Sequence, residues 1–129
     1  MGISMKRLPD SEREIMMIIW DAEEPVSRSD IEVHLDKERK LTKTTVLSFL
    51  SRLEEKGFVK VERVGRNNYY SPRVRKTEYL KRESQTILSR MYGNSLKNFV
   101  TALYDGRKMS QSEIQELKEY LDELEEETL

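Results

Sequence analysis

The hydrophobic repeat changes period at Gly57, and that change constrains the fold more than any other feature. Val46, Phe49, Leu50 and Leu53 fall at i, i+3, i+4 and i+7, one stripe of an α-helix. Thr42 can cap its start, and Gly57 stands where a helix running from Lys43 to Lys56 would end. Beyond Gly57, Val59, Val61 and Arg63 alternate with Lys60, Glu62 and Val64, the period-2 pattern of a strand. Gly65-Arg66-Asn67-Asn68 has turn chemistry, and Tyr69-Tyr70 begins a return strand that Pro72 ends.

Two helices are expected upstream. Ser11 and Glu14 have capping-box spacing, and Ile15, Met16, Ile18 and Ile19 follow as an apolar face that Trp20 closes. Pro25 breaks this helix, Ser27 and Asp30 start another, and Ile31 and Leu35 make that one short. Three helices followed by a hairpin is the order of a winged helix-turn-helix. The fold class expected is therefore mainly α: a three-helix bundle with a β-hairpin wing, then further helices.

Those further helices have their own pattern. Tyr79 to Tyr92 is periodic, Ser95 starts a segment that ends at an Asp105-Gly106 turn, and Ser110 with Glu113 opens the last helix. Leu80, Ile87, Met91, Phe99, Val100, Leu103, Ile114, Leu117, Leu121 and Leu124 give these helices more apolar surface than about fifty residues can bury alone. A homodimer would supply the missing cover. The expected division is a DNA-binding domain over residues 1–76 and a helical dimerisation domain over 77–129.

Charge distribution points to a partner. The chain has 129 residues and a net charge of −1, yet Lys37 to Lys76 holds twelve Lys/Arg against four Asp/Glu, a local charge of +8. Such a block neutralises phosphates while the rest of the surface stays acidic. The exposed face of the third helix would carry Lys43, Thr44, Thr45, Leu47, Ser48 and Arg52. In a winged helix this face enters the major groove. Arg52 and Lys43 suit phosphates or guanine edges, the hydroxyls suit bases or backbone, and Leu47 suits a thymine methyl. Arg63, Arg66, Asn67 and Asn68 of the wing would lie along the backbone or minor groove. The alternatives are a winged-helix regulator that answers a different signal, or a winged-helix module whose basic segment binds an acidic protein.

Several classes are disfavoured. With no cysteine there is no disulfide or thiolate metal site, as suits a cytoplasmic protein. The longest uncharged apolar run, Ile15 to Trp20, is far shorter than the ~20 residues of a membrane span. His34 is the single histidine, and no second ligand type clusters near it in sequence. Neither a nucleophile elbow nor a Gly-rich phosphate loop is present. No enzyme activity, cofactor, metal or small-molecule substrate is expected.

At this point the residues carry a resemblance. Leu8-Pro9 through Ile19-Trp20 resembles the opening helix of the penicillinase-repressor family of bacterial winged-helix repressors. Thr44-Thr45-Val46, Leu50, Arg52-Leu53 and Lys56-Gly57 resemble its recognition-helix signature, and Gly65-Arg66 with Tyr70-Ser71-Pro72 its wing. Glu78-Tyr79-Leu80, Glu83-Ser84 and Ser110 to Leu117 resemble its dimerisation helices. The resemblance implies a homodimeric repressor on an inverted-repeat operator of double-stranded DNA. For the antibiotic-responsive branch it implies a membrane sensor protease as partner and cleavage at an Asn-Phe bond, which Asn98-Phe99 matches. The copper-responsive branch uses a C-terminal cysteine cluster that this chain lacks. Thr44 and Leu47 depart from antibiotic-responsive members, which often carry more lysine on this helix.

Overall fold

The computed structural model describes residues 7–35, 41–106 and 109–128. Lys37, Arg39 and Lys40 of the basic block lie outside them. The elements run α1 (Asp10–Asp21), β1 (Val26–Ser27), α2 (Arg28–His34), α3 (Lys43–Glu55), β2 (Val59–Val64), β3 (Asn67–Pro72), α4 (Lys76–Tyr92), α5 (Leu96–Gly106) and α6 (Gln111–Thr128). The chain divides into two compact units after Ser84, inside α4.

The N-terminal unit holds the core. Ile15, Met16 and Ile19 of α1, Ile31 of α2, and Val46, Leu50 and Leu53 of α3 are buried together with Phe58, Val59 and Tyr70. This is the expected stripe on each helix, except that Phe49 is only half-buried at its edge. Thr42 caps α3 by accepting the Thr45 amide hydrogen, and Gly57 closes it with φ 82°. Ser27 and Asp30 form the expected capping box of α2.

Four local expectations need correction. The N-cap of α1 is Pro9 rather than Ser11, because Leu8 is buried and its amide donates to the Tyr79 hydroxyl at 3.1 Å, which sets where the chain enters the helix. The wing turn is Gly65-Arg66 alone. Val64 pairs with Asn67 and Arg63 with Asn68, so both asparagines belong to β3. Gly65 takes φ 64°, as tight hairpins with Gly at the first central position require. The sheet also has a third strand, in the order β1-β3-β2, with Val26 opposite Tyr70 and Ser27 opposite Tyr69. Finally, α5 runs through Gly106, where a turn was expected.

The division after Ser84 falls later than a boundary at Lys76. Tyr79 is the reason: its ring is buried, 5.3 Å from Trp20 and 5.7 Å edge-on to Phe58. Trp20 donates its indole hydrogen to the Val74 carbonyl at 2.7 Å. Glu83 adds an ion pair with Arg13 at 3.2 Å. The first two turns of α4 are thus part of the N-terminal core.

In the C-terminal unit Gly93 and Asn94, at φ 54° and 63°, close α4, and the Asn94 amide donates back to the Leu88 carbonyl at 2.9 Å. Ser95 caps α5 through the Asn98 amide, and Ser110 caps α6 through the Glu113 amide. Tyr92 and Phe99 pack edge to face at 5.2 Å. Ile87, Leu88, Phe99 and Val100 are half-buried, whereas Met91, Leu103, Ile114, Leu117, Leu121 and Leu124 are exposed.

Candidate nucleic-acid interface

Every expected contact residue lies in the N-terminal unit, and the helical period of α3 sorts its own. With Val46, Leu50 and Leu53 turned inward, Lys43, Thr44, Leu47, Ser48 and Arg52 are exposed. Leu47 is 39% exposed and is the apolar side chain on this face. Thr45 differs from its neighbours. It is half-buried, and its hydroxyl lies 2.8 Å from that of Thr42, inside the helix cap. The Arg52 guanidinium sits over the Phe49 ring, 5.8 Å from its centroid, which restrains a long side chain at the exposed face.

The wing brings its polar residues to the same side. Arg63, Arg66, Asn67 and Asn68 are all exposed. Arg63 donates to the Gly65 carbonyl at 3.2 Å and so braces the turn. A cleft of about 190 Å³ gathers Lys43 and Leu47 of α3, Arg66, Asn67 and Asn68 of the wing, and Ser27, Arg28 and Ser29 at the start of α2. Tyr70 completes it; burial pushes its phenol above the usual range, and a hydrogen bond from Asn68 opposes that. Thr44, Ser48, Arg52 and Arg63 are outside the cleft lining.

Sequence reasoning missed Ser27, Arg28, Ser29 and Tyr70 as site residues. Ser27 was legible as a cap and Tyr70 as core, and each role conceals the other. Arg28, a cation in an otherwise acidic stretch, was the available signal.

Among the described residues no group of acids and histidines could hold a metal ion, and no helix is long and apolar enough to cross a membrane. The site offers hydrogen-bond donors, cations and one apolar side chain on an exposed face. That inventory suits the binding of a polyanion.

Comparison with known proteins decides the family. The model of the penicillinase repressor family matches residues 8–123. The chain belongs to the penicillinase repressor family. The repressor is 29% identical over 122 residues to the penicillinase repressor of Bacillus licheniformis, covering 92% of this chain and 94% of that one. To the penicillinase repressor of Staphylococcus aureus it is 25% identical over 114 residues, covering 88% and 90%. The solved DNA-binding domain of the repressor BlaI superposes with a TM-score of 0.50 at 27% identity, covering 58% of this chain and 94% of that domain. The repressor is accordingly a DNA-binding transcriptional regulator and not an enzyme, and its winged helix is the part that resembles the solved domain.

Proposed function

We propose that this repressor works as a homodimer that occupies an inverted-repeat operator of β-lactam resistance genes, and that proteolytic cleavage at Asn98-Phe99 releases it. The observation that carries the DNA-binding half is the convergence of Lys43 and Leu47 of α3 with Arg66, Asn67 and Asn68 of the wing on one cleft. Lys43, Thr44, Leu47, Ser48 and Arg52 read or anchor in the major groove. Arg63, Arg66, Asn67 and Asn68 follow the backbone.

Dimerisation is supported by burial. No described residue from Gln85 to Thr128 is buried, although α5 and α6 carry Leu103, Ile114, Leu117, Leu121 and Leu124. A helical unit without a core of its own needs a partner, and a second copy is the simplest one. Cleavage is supported by the family and by position. Asn98 is exposed and Phe99 half-buried within α5, so a protease in the membrane would act on a bond that local opening presents.

Selection from random duplexes tests the operator. It should enrich an inverted repeat with half-sites about one helical turn, roughly 10 bp, apart. On that duplex, Arg52→Ala should weaken binding and flatten the salt dependence by about one unit of slope per half-site, while Arg90→Ala should do neither. Equal effects would overturn the assignment of the groove-facing helix.

A further inference from the structure

Three cations from three separate elements line the cleft of the N-terminal unit: Arg28 of α2, Lys43 of α3 and Arg66 of the wing turn. Arg28 is already neutralised by Glu32 at 2.6 Å. Lys43 and Arg66 are in no ion pair among the described residues. Two uncompensated like charges bordering one space repel each other, and an anion between them removes that repulsion. The lining is polar and fixed. Tyr70 is only 5% exposed, and Asn68 pairs with Arg63 in the ladder of the wing. Asn67, next along β3, adds amide hydrogens to the same lining.

We propose that this cleft seats one phosphodiester of the duplex backbone, shared between Lys43 of α3 and Arg66 of the wing. The inference rests on the DNA-binding reading and adds a division of labour to it. The cleft is bordered by Lys43 and Leu47 of α3 on one side and by Arg66 of the wing turn on the other, so a strand that touches both elements would pass it. One phosphate held from both sides locks the register of helix and wing together. Arg66 then contributes affinity without reading a base, and Lys43 is committed to the backbone. Base reading falls to Leu47, Ser48 and Thr44. A free inorganic anion has the same charge chemistry, and the experiment separates it from the backbone.

The test uses the full chain and its selected operator, with binding followed by fluorescence anisotropy across a salt series. Lys43→Ala, Arg66→Ala and the double variant are compared with wild type. Both side chains are exposed, so the thermal midpoint should be unchanged; the Gln variants replace any that shifts it. A shared phosphate predicts a double-variant slope lower by about one per half-site, whereas two separate phosphates predict about two and would overturn the proposal. Methylphosphonate, which carries no charge, is then substituted at each phosphate in turn. One position per half-site should weaken wild type by about tenfold and the double variant by less than about twofold. No such position, or equal losses in both proteins, overturns it. Inorganic phosphate at matched ionic strength should displace the duplex no better than chloride does. Saturable displacement lost in the double variant would assign the cleft to a free anion instead. Failure of wild type to bind the unmodified operator would sink the DNA-binding reading itself, and is seen before any variant is measured.

Discussion

Glu12 is the charged side chain that the N-terminal core contains, and one contact makes it tolerable. It is 2% exposed, and the Lys56 ammonium lies 2.6 Å from its carboxylate. Burying an ion unpaired costs several kcal/mol, so the pair matters more for what its loss exposes than for its net attraction. Lys56→Ala leaves the carboxylate without its cation and should destabilise the fold by about 3 kcal/mol in denaturant unfolding. Lys56→Arg should retain most of the stability. A loss under about 0.5 kcal/mol for the alanine variant would mean that water reaches the carboxylate freely. Glu12 and Lys56 each stand in a stretch that carries the family resemblance, yet nothing in the sequence joins them across 44 residues. The Phe49–Arg52 contact lies within one turn of α3, yet the stripe pattern set Phe49 and Arg52 on opposite faces; the half-burial of Phe49 at the edge of the stripe lets them meet.

Among the elements, α2 depends most on its cap. It has 7 residues, too few for a helix to persist on propensity. The Ser27 amide donates to the Asp30 carboxylate at 3.0 Å, and the Ser27 hydroxyl accepts from the Asp30 amide at 3.2 Å. The Ser27 amide, first, and the Ser27 hydroxyl, second, hold the Asp30 carboxyl below its ordinary value of 3.8 by hydrogen bonding to it. A depressed folded value means a stabilising contribution that is present above pH 3.8 and lost as pH falls through the lowered value. Acid should therefore loosen α2, and with it Ser27, Arg28 and Ser29 of the cleft. In a carboxyl NMR titration Ser27→Ala should move the Asp30 midpoint up towards 3.8, removing the side-chain bond and weakening the turn. An unmoved midpoint would detach the titration from the cap. This box was plain in the sequence, because both partners lie within one turn. The strand beside it was not: β1 has two residues, too few for alternation to register, and it exists only because β3 offers its edge.

At the scale of the whole molecule, two units have unequal claims to independence. The N-terminal unit has a core, whereas no described residue of the C-terminal unit is buried. If α6 lies against a second copy, Leu117→Asp with Leu121→Asp should give monomers in sedimentation, because each buried carboxylate would be unpaired. Wild type sedimenting as a monomer at micromolar concentration would defeat the homodimer. Truncation after Asn98 removes α6 and most of α5. The fragment should keep the thermal transition of the winged helix and lose operator occupancy by ~100-fold or more, since two linked half-site contacts become one. A fragment that dimerises and binds as tightly as the full chain would exclude cleavage there as the switch.

What the sequence by itself determined is whatever near neighbours decide. The stripe of α3, the Ser27 and Thr42 caps, the stop at Gly57 and the hairpin all follow from interactions within a turn or across a tight reversal. These suffice for the winged helix and for the choice of its exposed face. The tertiary structure alone decided which distant surfaces meet. The pairing of β1 with β3, the burial of Tyr79 that carries the N-terminal unit into α4, and the gathering of Arg28, Lys43 and Arg66 around one cleft are of this kind. Their physical basis is shape and charge fit between segments that share no local period, so no spacing along the chain records them.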